Sequence, residues 1–398
     1  MEAIVLDWLN LLFRWLHVIA GIMWVGNSML FNWLDRNLQG AGGDASKFGD
    51  AWLLHSGGFY KVEKFKAEGG RLPPLLHWFK WQSYTTWMSG CALLVLVYYL
   101  GGEAQLRDPD SPLSLGLTHA VGLGTLVLGW LLYDGAWRLI GPRAPGLAST
   151  AFGLALVAVG YGLCQVLTGR AAYMHAGALM GTLMAGNVFF HIIPSQKQLV
   201  AALAAGQPHD LALSDRAKLR SIHNNYLTFP VIFTMISNHF GAAYGHPQNW
   251  LILTLLCAGG ALVRLFLNIR YTTPGWLAGV LASLALSFGV TGWMVYAAQP
   301  APPPPAAAGA PVPSFAQVRE IIVHRCTACH SRYPTQPALA LATQGVYYDT
   351  PEEIKVRAER ILFRAVTTKT MPLGNMTQMT DEERGVLAAW IAAGSPLK

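Results

Sequence analysis

Long apolar stretches constrain this chain more than any other feature of its sequence. A helix needs about 20 apolar residues to cross the hydrocarbon core of a bilayer. Charged residues make up only 12% of the 398 residues, against roughly 25% in soluble domains. These observations exclude an ordinary soluble protein and predict an all-α, polytopic bundle of eight transmembrane helices. The predicted spans are Leu6–Leu34, Trp78–Leu100, Ser114–Tyr133, Gly146–Leu167, Ala171–Ile193, Ile222–Tyr244, Asn249–Leu267 and Pro274–Ala298.

The distribution of lysine and arginine predicts how this bundle is oriented. Cytoplasmic loops of membrane proteins are enriched in these residues. The even-numbered loops hold only Arg107 and Arg170, so both chain ends are predicted to lie outside the cytoplasm. The net charge of +7 then reflects loops on one side of a membrane rather than binding of nucleic acid. The odd-numbered loops carry Arg36, Lys47, Lys61, Lys64, Lys66, Arg71, Lys80, Arg138, Arg143, Lys197, Arg216, Lys218, Arg220, Arg264 and Arg270.

A run rich in proline and alanine separates the bundle from the C-terminal part of the chain. Residues Gln299–Pro313 read QPAPPPPAAAGAPVP, a composition that cannot build a core and favours a semi-rigid, extended spacer. The segment that follows, Ser314–Lys398, is polar and patterned for helices. The sequence therefore predicts a membrane domain over 1–298, a linker over 299–313 and a second domain over 314–398.

The second domain contains a motif for covalent haem attachment. In Cys326-Thr-Ala-Cys329-His330 two thiols stand three residues apart, where both can bond the haem vinyl groups, and the adjacent histidine can ligate the iron. A two-thiol redox pair or a zinc site would leave His330 unexplained. The remaining cysteines sit singly in apolar spans, where a thiol usually acts as a small hydrophobic group; they are Cys91, Cys164 and Cys257.

A methionine is the predicted sixth ligand of the haem iron, because a thioether raises the reduction potential of such a haem. The candidates are Met371, Met376 and Met379, and Met371 is preferred since Pro372 stiffens its loop. Together with His330, Met371 would complete the iron coordination.

Capping signals place helices at both ends of this domain. Ser314-x-x-Gln317 and Thr380-x-x-Glu383 are capping-box patterns. The second of them opens a last helix that ends near Gly394 and is expected to cross the first. The order, spacing and size of these features resemble a small class I cytochrome c.

Ionisable residues inside membrane spans are costly and mark functional sites by default. The first span holds Arg14 and His17, three residues apart and so on one face of a helix. Facing histidines would permit a non-covalent haem b, with His17 as one ligand and Arg14 beside a propionate. Singly, each histidine is as well explained by a packing hydrogen bond. The other span histidines are His119, His175 and His239 toward the outer side, and His191 and His223 toward the cytoplasm.

Three fragments of the membrane region resemble one known family. They are Trp15-Leu-His17-Val-Ile-Ala-Gly-Ile-Met-Trp24-Val-Gly-Asn27, Gly186-Asn187-Val-Phe-Phe-His191-Ile-Ile-Pro194 and His223-Asn-Asn-Tyr226. With the haem-motif tail behind them, they make the chain similar to the bacterial membrane urate hydroxylases, which are cytochrome-c-coupled urate oxidases. The resemblance covers roughly residues 1–298 and the tail. By motif, it assigns haem c to Cys326, Cys329, His330 and Met371.

The resemblance implies a function and a location. The function is oxidation of urate to 5-hydroxyisourate in purine catabolism, with electrons leaving through the covalent haem to a periplasmic or respiratory-chain acceptor. The location is the bacterial inner membrane, with several passes and both termini in the periplasm.

Urate chemistry then selects candidate site residues. Urate is a planar anion whose edges offer amide-like donors and acceptors, so its site needs amide side chains, aromatic faces and a cationic group. Asn27, Asn187 and Asn224 are the candidate substrate ligands. Because water is added as two electrons leave, a base is required, and His191 or His223 is suited to that role near neutral pH.

Two other functions stay open on the sequence alone. The chain could be a cytochrome-bearing subunit of a quinol or terminal oxidase complex, or a membrane anchor for an electron carrier. Urate bound from the cytoplasm would have to send electrons across a core about 30 Å thick. Either the site lies deep, near the outer half of the membrane, or a haem b bridges the gap. The hypothesis adopted is a haem b held partly by His17 as an intermediate centre. The loop from Asp35 to His77 is long for a connection and is expected to cover the site.

Overall fold

The chain folds mainly into helices. A computed structural model describes residues 2–40, 42–43, 46–65, 75–207, 210–298, 312–335 and 346–397. Helix makes up 72% and strand 6%, in agreement with a mainly helical fold class. The helices of the membrane region are α1 Glu2–Asn37, α2 Trp81–Leu94, α3 Glu103–Leu106, α4 Leu115–Leu139, α5 Pro145–Val166, α6 Gly169–Gly186, α7 Ile193–Ala204, α8 Leu211–Ile236, α9 Gly241–Tyr244, α10 Asn249–Asn268 and α11 Trp276–Ala297.

Six helical segments within the described residues are long and apolar enough to cross a membrane. They are Ile4–Asn37, Leu115–Leu139, Pro145–Val166, Gly169–Ala204, Asn249–Asn268 and Trp276–Ala297. This finding fits a multi-pass membrane protein and covers six of the eight predicted spans.

The other two predicted spans are helical but do not meet both criteria. In Trp78–Leu100, helix α2 begins with the polar sequence Trp-Gln-Ser-Tyr-Thr-Thr and continues into the π-helical turn Val95–Tyr99. In Ile222–Tyr244, the helix is the second half of α8, whose first half carries charges such as Asp215 and Arg216. The count of eight spans therefore stays a prediction.

A β hairpin, which the all-α prediction missed, follows α1. Strand β1 Lys47–His55 pairs antiparallel with β2 Gly58–Phe65. The two residues between them, Ser56 and Gly57, have φ of 51° and 76°. Positive φ at both positions matches the twist of the paired strands and makes a two-residue turn favourable. The Ser-Gly-Gly sequence between two runs with aromatic residues was the available signal for it.

Helix α6 occupies the centre of the membrane domain. In the most apolar 18-residue stretch of the span Gly169–Ala204, which begins with α6, 67% of the residues are buried. The corresponding fraction for α1 is 6%, so α1 lies at the periphery. It packs against α2, α4, α5 and α8. Leu167, Ala171 and Leu183 in and next to α6 are almost completely buried, so the functional side chains of α6 and its continuation face protein rather than lipid.

The C-terminal segment forms a small helical unit with its own core. The predicted capping boxes at Ser314 and Thr380 are both confirmed. The last helix ends near Gly394 as predicted, and it packs on the first through Phe315 and Trp390, whose ring centroids are 6.0 Å apart. The helices of this unit are α12 Phe315–Arg325, α13 Pro351–Val356, α14 Ala358–Ile361 and α15 Asp381–Ala392.

Some predicted features fall outside the described residues. Residues 299–311, nearly all of the predicted linker, are among them, as are 66–74 of the long loop after α1 with Lys66 and Arg71. The expectation that this loop covers the site therefore concerns a segment that is only partly described.

The C-terminal unit rests on one end of the membrane domain. Arg364 donates from Nη1 to the Tyr244 hydroxyl at 3.3 Å. The short turn Leu373–Asn375 contacts α3. On the side of the membrane domain, these contacts are made by the even-numbered loops, which contain few basic residues. We refer to this end of the bundle, which faces the predicted cytochrome c unit, as the cytochrome-side end and to the opposite one as the basic end.

Candidate functional site

A cluster of buried polar side chains lies near the basic end of the membrane domain. It joins the end of α4, the π-helical turn Asn187–Ile192 that follows α6, and the first half of α8. We call it the Asp134 cluster. Its members are Tyr133, Asp134, Trp137, Asn187, His191, Arg220, His223 and Asn224.

The π-helical turn explains how α6 presents two of these side chains. Pro194 has no backbone N–H, so the carbonyl of residue 190 cannot receive the usual α-helical hydrogen bond. The backbone widens over Asn187–Ile192, and π-helical turns of this kind are frequent at functional sites. Asn187 and His191 are 0% and 4% exposed, which places both inside the bundle.

Asp134 binds three cationic or ionisable groups. Its Oδ1 lies 2.5 Å from His191 Nε2 and 2.7 Å from Arg220 Nη2. Its Oδ2 pairs with Arg138 Nε at 2.7 Å. A carboxylate only accepts, so His191 donates from Nε2 and keeps Nδ1 for accepting a proton. Among the described residues no hydrogen bond uses that Nδ1.

A tyrosine connects the second histidine to the amide residues. The Tyr133 hydroxyl lies within hydrogen-bond distance of His223 Nδ1, at 2.6 Å, and accepts from Asn187 Nδ2 at 2.9 Å. Asn187 Nδ2 also donates to Asn224 Oδ1 at 2.9 Å. The Trp137 ring lies 4.2 Å from the His223 ring, centroid to centroid. Four of the five residues predicted for catalysis or substrate binding are thus brought together.

The fifth predicted residue, Asn27, is not part of this cluster. It is half-buried on α1, and within the described residues no hydrogen bond links it to the other four. Helix α1 packs mainly on α2, whereas the cluster is built by α4, α6 and α8.

Three polar atoms of the Asp134 cluster are buried without a hydrogen-bond partner among the described residues. They are Asn187 Oδ1, Arg220 Nη1 and Trp137 Nε1. Buried polar groups are nearly always paired with protein, water or ligand. The cluster therefore offers one acceptor and two donors to a bound molecule.

The histidines predicted to bind haem b make hydrogen bonds to different groups. His17 Nδ1 lies 2.9 Å from the Thr86 carbonyl and 3.1 Å from Ser89 Oγ, so Nε2 is the ring nitrogen left for a ligand. His175 uses both ring nitrogens, since Nδ1 donates to the Ala171 carbonyl and Nε2 accepts from Tyr99.

The remaining residues predicted to bind haem b have surroundings of their own. His119 lies beside the Tyr99 ring at 5.2 Å between centroids. Arg14 bonds Asn10 on its own helix. His239 is exposed in a single 3₁₀ turn after α8. No contact within the described residues joins His17 to His119, His175 or His239.

The C-terminal unit has an open cleft that is lined by the predicted haem residues. Cys326 and Cys329 lie in the turn after α12 with free thiols. His330 donates from Nδ1 to the Val346 carbonyl at 3.0 Å, which fixes the ring and leaves Nε2 for a metal. Burial lowers the pKa of His330, which favours the neutral form that a metal requires.

The three candidate methionines occupy different positions. Met371 and Met376 line the cleft, whereas Met379 is 3% exposed and packs in the core of the unit. The backbone of Met371 is held at both groups, because its N–H donates to the Arg364 carbonyl at 3.0 Å and its carbonyl accepts from Arg384 at 2.9 Å. The four predicted side chains fit a covalently attached haem with a histidine and a methionine on the iron.

Two residues of the membrane domain border the same cleft. They are Gln105 and Arg170. Arg170 donates from Nε to Asn238 at 2.9 Å, and the Tyr98 hydroxyl lies 3.4 Å from the same Asn238 oxygen. The cleft is therefore shared between the C-terminal unit and the cytochrome-side end of the bundle.

Comparison with known proteins identifies the membrane region. A family model described as urate oxidase N-terminal matches residues 3–295. The chain belongs to the urate oxidase N-terminal family. No curated protein and no solved structure matches it. Membership in this family, with apolar helices that fit a membrane, indicates a urate-oxidase-related oxidoreductase.

For this urate oxidase family member, sequence reasoning missed four residues of the Asp134 cluster. Tyr133 and Asp134 lie at the edge of the third predicted span, and Arg220 was counted only as a loop charge. Asp134 is the single acidic residue of α4, and an isolated carboxylate in an apolar helix was the signal to follow. Nothing in the sequence distinguished Trp137 from an interfacial tryptophan.

Proposed function

We propose that this chain is a membrane-bound oxidoreductase that converts urate to 5-hydroxyisourate and passes the electrons to a covalent c haem. The reaction consumes one urate and one water and yields 5-hydroxyisourate, two protons and two electrons. An external respiratory-chain acceptor takes the electrons away. The observation that carries the proposal is the shared cleft, which is lined by the residues predicted to bind haem and by residues of the domain that matches the urate oxidase N-terminal family.

Four side chains would hold the haem. Cys326 and Cys329 would supply the thioether bonds, and His330 and Met371 the iron ligands. When bound, the haem takes up one electron at a time and releases it to a partner. Arg170 and Gln105 would border it from the membrane domain.

The Asp134 cluster supports the substrate and proton parts of the proposal. Asp134 orients His191 so that Nδ1 can take a proton from the attacking water or from urate, which makes His191 the favoured base. His223 Nδ1 is already occupied by the Tyr133 hydroxyl, so His223 acts through that tyrosine. Asn187 and Asn224 supply amide groups beside them.

A distance within the bundle supports an intermediate electron carrier. Gly122 on α4 packs against His175 near the cytochrome-side end. Tyr133 comes 11 residues later on the same helix, which at 1.5 Å per residue is roughly 16 Å deeper. A haem b ligated through His17 Nε2 would shorten this gap, and we keep it as part of the proposal. Protein that yields no acid-extractable haem would remove this element.

The proposed location is the bacterial inner membrane with both termini in the periplasm. The basic residues of the odd-numbered loops support the orientation. The C-terminal unit packs at the opposite end of the bundle, where covalent haem attachment would take place.

The test uses membranes that contain the intact chain. Respiratory oxidases are inhibited, urate is added, and the absorbance of the c haem is followed. We expect reduction of the c haem by urate, none in membranes that lack the chain, and formation of 5-hydroxyisourate. A haem that responds to quinol but not to urate would instead favour a quinol or terminal oxidase subunit. A haem that responds to neither would favour an anchor.

A further inference from the structure

We infer that Arg220, Trp137 and Asn187 form the recognition site for the planar urate anion. This inference rests on the proposed function and deepens it, because it names the side chains that read the substrate. All three lie in the Asp134 cluster, and each has one buried polar atom without a partner in the described chain.

The orientation of the Asn187 amide follows from its neighbours. Asn224 donates from Nδ2 to the Met184 carbonyl at 3.0 Å, so its Oδ1 must face Asn187. Asn187 therefore turns its Nδ2 toward Asn224 and Tyr133. Its Oδ1 is left as an acceptor that is buried and unpaired, and this acceptor can receive an N–H of a lactam edge.

Arg220 is held in a similar way. Its Nη2 donates to Asp134 at 2.7 Å, and its guanidinium lies over the Tyr133 ring at 4.9 Å from the centroid. These contacts fix the plane of the group and leave Nη1 unpaired. Trp137 supplies the second donor through its indole N–H, beside the His223 ring.

The set of unpaired atoms is complementary to urate. Two donors match the carbonyl oxygens and the negatively charged nitrogen of the anion, and one acceptor matches a ring N–H. The cationic Arg220 balances the charge, and aromatic rings provide flat faces. Such a site also rejects molecules of similar shape that cannot pair with it, because its buried polar atoms would then stay unsatisfied.

A second buried arginine offers a matched control. Arg264 is 1% exposed and donates from Nε to Asn225 at 3.0 Å, and its Nη2 is also without a partner in the described chain. It lies on α10, and no hydrogen bond or ion pair among the described residues links it to Asp134 or to the two catalytic histidines. Replacement of Arg264 by lysine therefore removes a buried guanidinium without touching the inferred site.

The test measures equilibrium binding of urate to detergent-solubilised full-length protein without air, with its haem already reduced so that no turnover occurs. We expect Arg220→Lys and Trp137→Phe each to weaken urate binding by about tenfold or more, the effect of leaving a polar contact unmade. Trp250 lies at the start of α10 and packs on Tyr161, with ring centroids 5.3 Å apart. Arg264→Lys and Trp250→Phe should stay within twofold of the unsubstituted protein. Haem content and melting temperature identify variants that fail to fold, and Trp137→Phe, which only removes the indole N–H and keeps an aromatic ring, tests the site if Arg220→Lys does not fold.

The outcomes separate this inference from the proposed function. If the unsubstituted protein binds no urate, both are wrong. If it binds urate while folded Arg220→Lys and Trp137→Phe bind equally well, only the recognition site is wrong, and water fills the three positions instead. Weaker binding in Arg264→Lys alone would move the site to α10. Normal binding here, combined with no reduction of the oxidised c haem by urate in the membrane test of the proposed function, would overturn the electron route and leave the recognition site standing.

Discussion

The cleft proposed to hold haem and the Asp134 cluster are built in opposite ways. Most residues of this cleft come from two short segments of the C-terminal unit, around Cys326–His330 and Met371–Thr377. The Asp134 cluster draws on three helices, with members up to 91 positions apart, from Tyr133 to Asn224. Most residues of the cleft are therefore close together in the sequence, whereas the residues of the Asp134 cluster come together only when the helices pack.

The two sites also differ in the types of side chain that they need. The cleft needs a few fixed ligands of distinctive type, namely thiol, imidazole and thioether, and such ligands are recognisable from spacing. The cluster needs common amide, aromatic and cationic groups, whose function depends on which of them stay unpaired. Substitutions should therefore act on electron transfer at one site and on substrate chemistry at the other.

The largest effect is expected at the cleft. Cys326→Ser should remove one thioether bond and, because haem attachment needs both thiols, abolish the c haem signal and all urate-dependent electron transfer. Urate binding should persist. Haem staining of denatured protein and acceptor reduction measure this, with Cys164→Ser in α5 as the control that keeps both. A Cys326→Ser protein that still reduces the acceptor at full rate would separate urate oxidation from the cleft.

Loss of the proposed base should act on turnover alone. His191→Ala should lower kcat by about 10²- to 10⁴-fold, the usual contribution of a general base, while leaving the c haem spectrum unchanged. His223→Ala should have a smaller effect, since His223 acts through Tyr133. Steady-state kinetics with a soluble electron acceptor measures both. Equal, full activity in the two variants would show that neither histidine is the base.

Substitution of each candidate methionine tests which of them ligates the iron. Met371→Leu should lower the reduction potential of the haem by on the order of 0.1–0.3 V, within the roughly 0.8 V that axial ligands span. Met376→Leu, in the same cleft, and Met379→Leu, in the core, should change it little. Redox titration of the intact protein measures the three values. A large drop for Met376→Leu instead would transfer the ligand role to that residue.

The smallest effect concerns the last helix of the C-terminal unit. Thr380 caps α15 by accepting from the Glu383 N–H. Thr380→Ala should reduce the free energy of unfolding of this unit by about 1 kcal/mol, with unchanged urate binding. Thermal unfolding followed at the haem measures it, and Thr380→Ser, which keeps the hydroxyl, is the control. A larger loss in the serine variant would contradict the capping role.

The fold could be predicted from the sequence where the signal is local. Apolar stretches predicted the six segments that, among the described residues, are long and apolar enough to span a membrane, and capping boxes predicted the starts of α12 and α15. The hairpin after α1 was missed, although Ser56-Gly57-Gly58 carried a turn signal. The two segments that fall short of a clear span are those in which polar or charged residues occupy the first part of the helix.

The candidate site could be predicted only in part, for a physical reason. His191, His223, Asn187 and Asn224 were found by residue type. Which partner each would meet depends on helix packing, and Asp134 and Arg220 gained their importance only through tertiary contacts. Asn27 has the right chemistry on a helix that packs elsewhere. Residue type identifies candidate members of such a site, and helix packing determines which candidates belong to it.

The most direct measurement is anaerobic mixing of purified, oxidised protein with urate. The account predicts that the c haem becomes reduced without oxygen, with up to two electrons delivered per urate consumed, and that no hydrogen peroxide forms when a soluble acceptor is then supplied. Urate that is consumed only in the presence of oxygen, with peroxide as product and the c haem still oxidised, would contradict it.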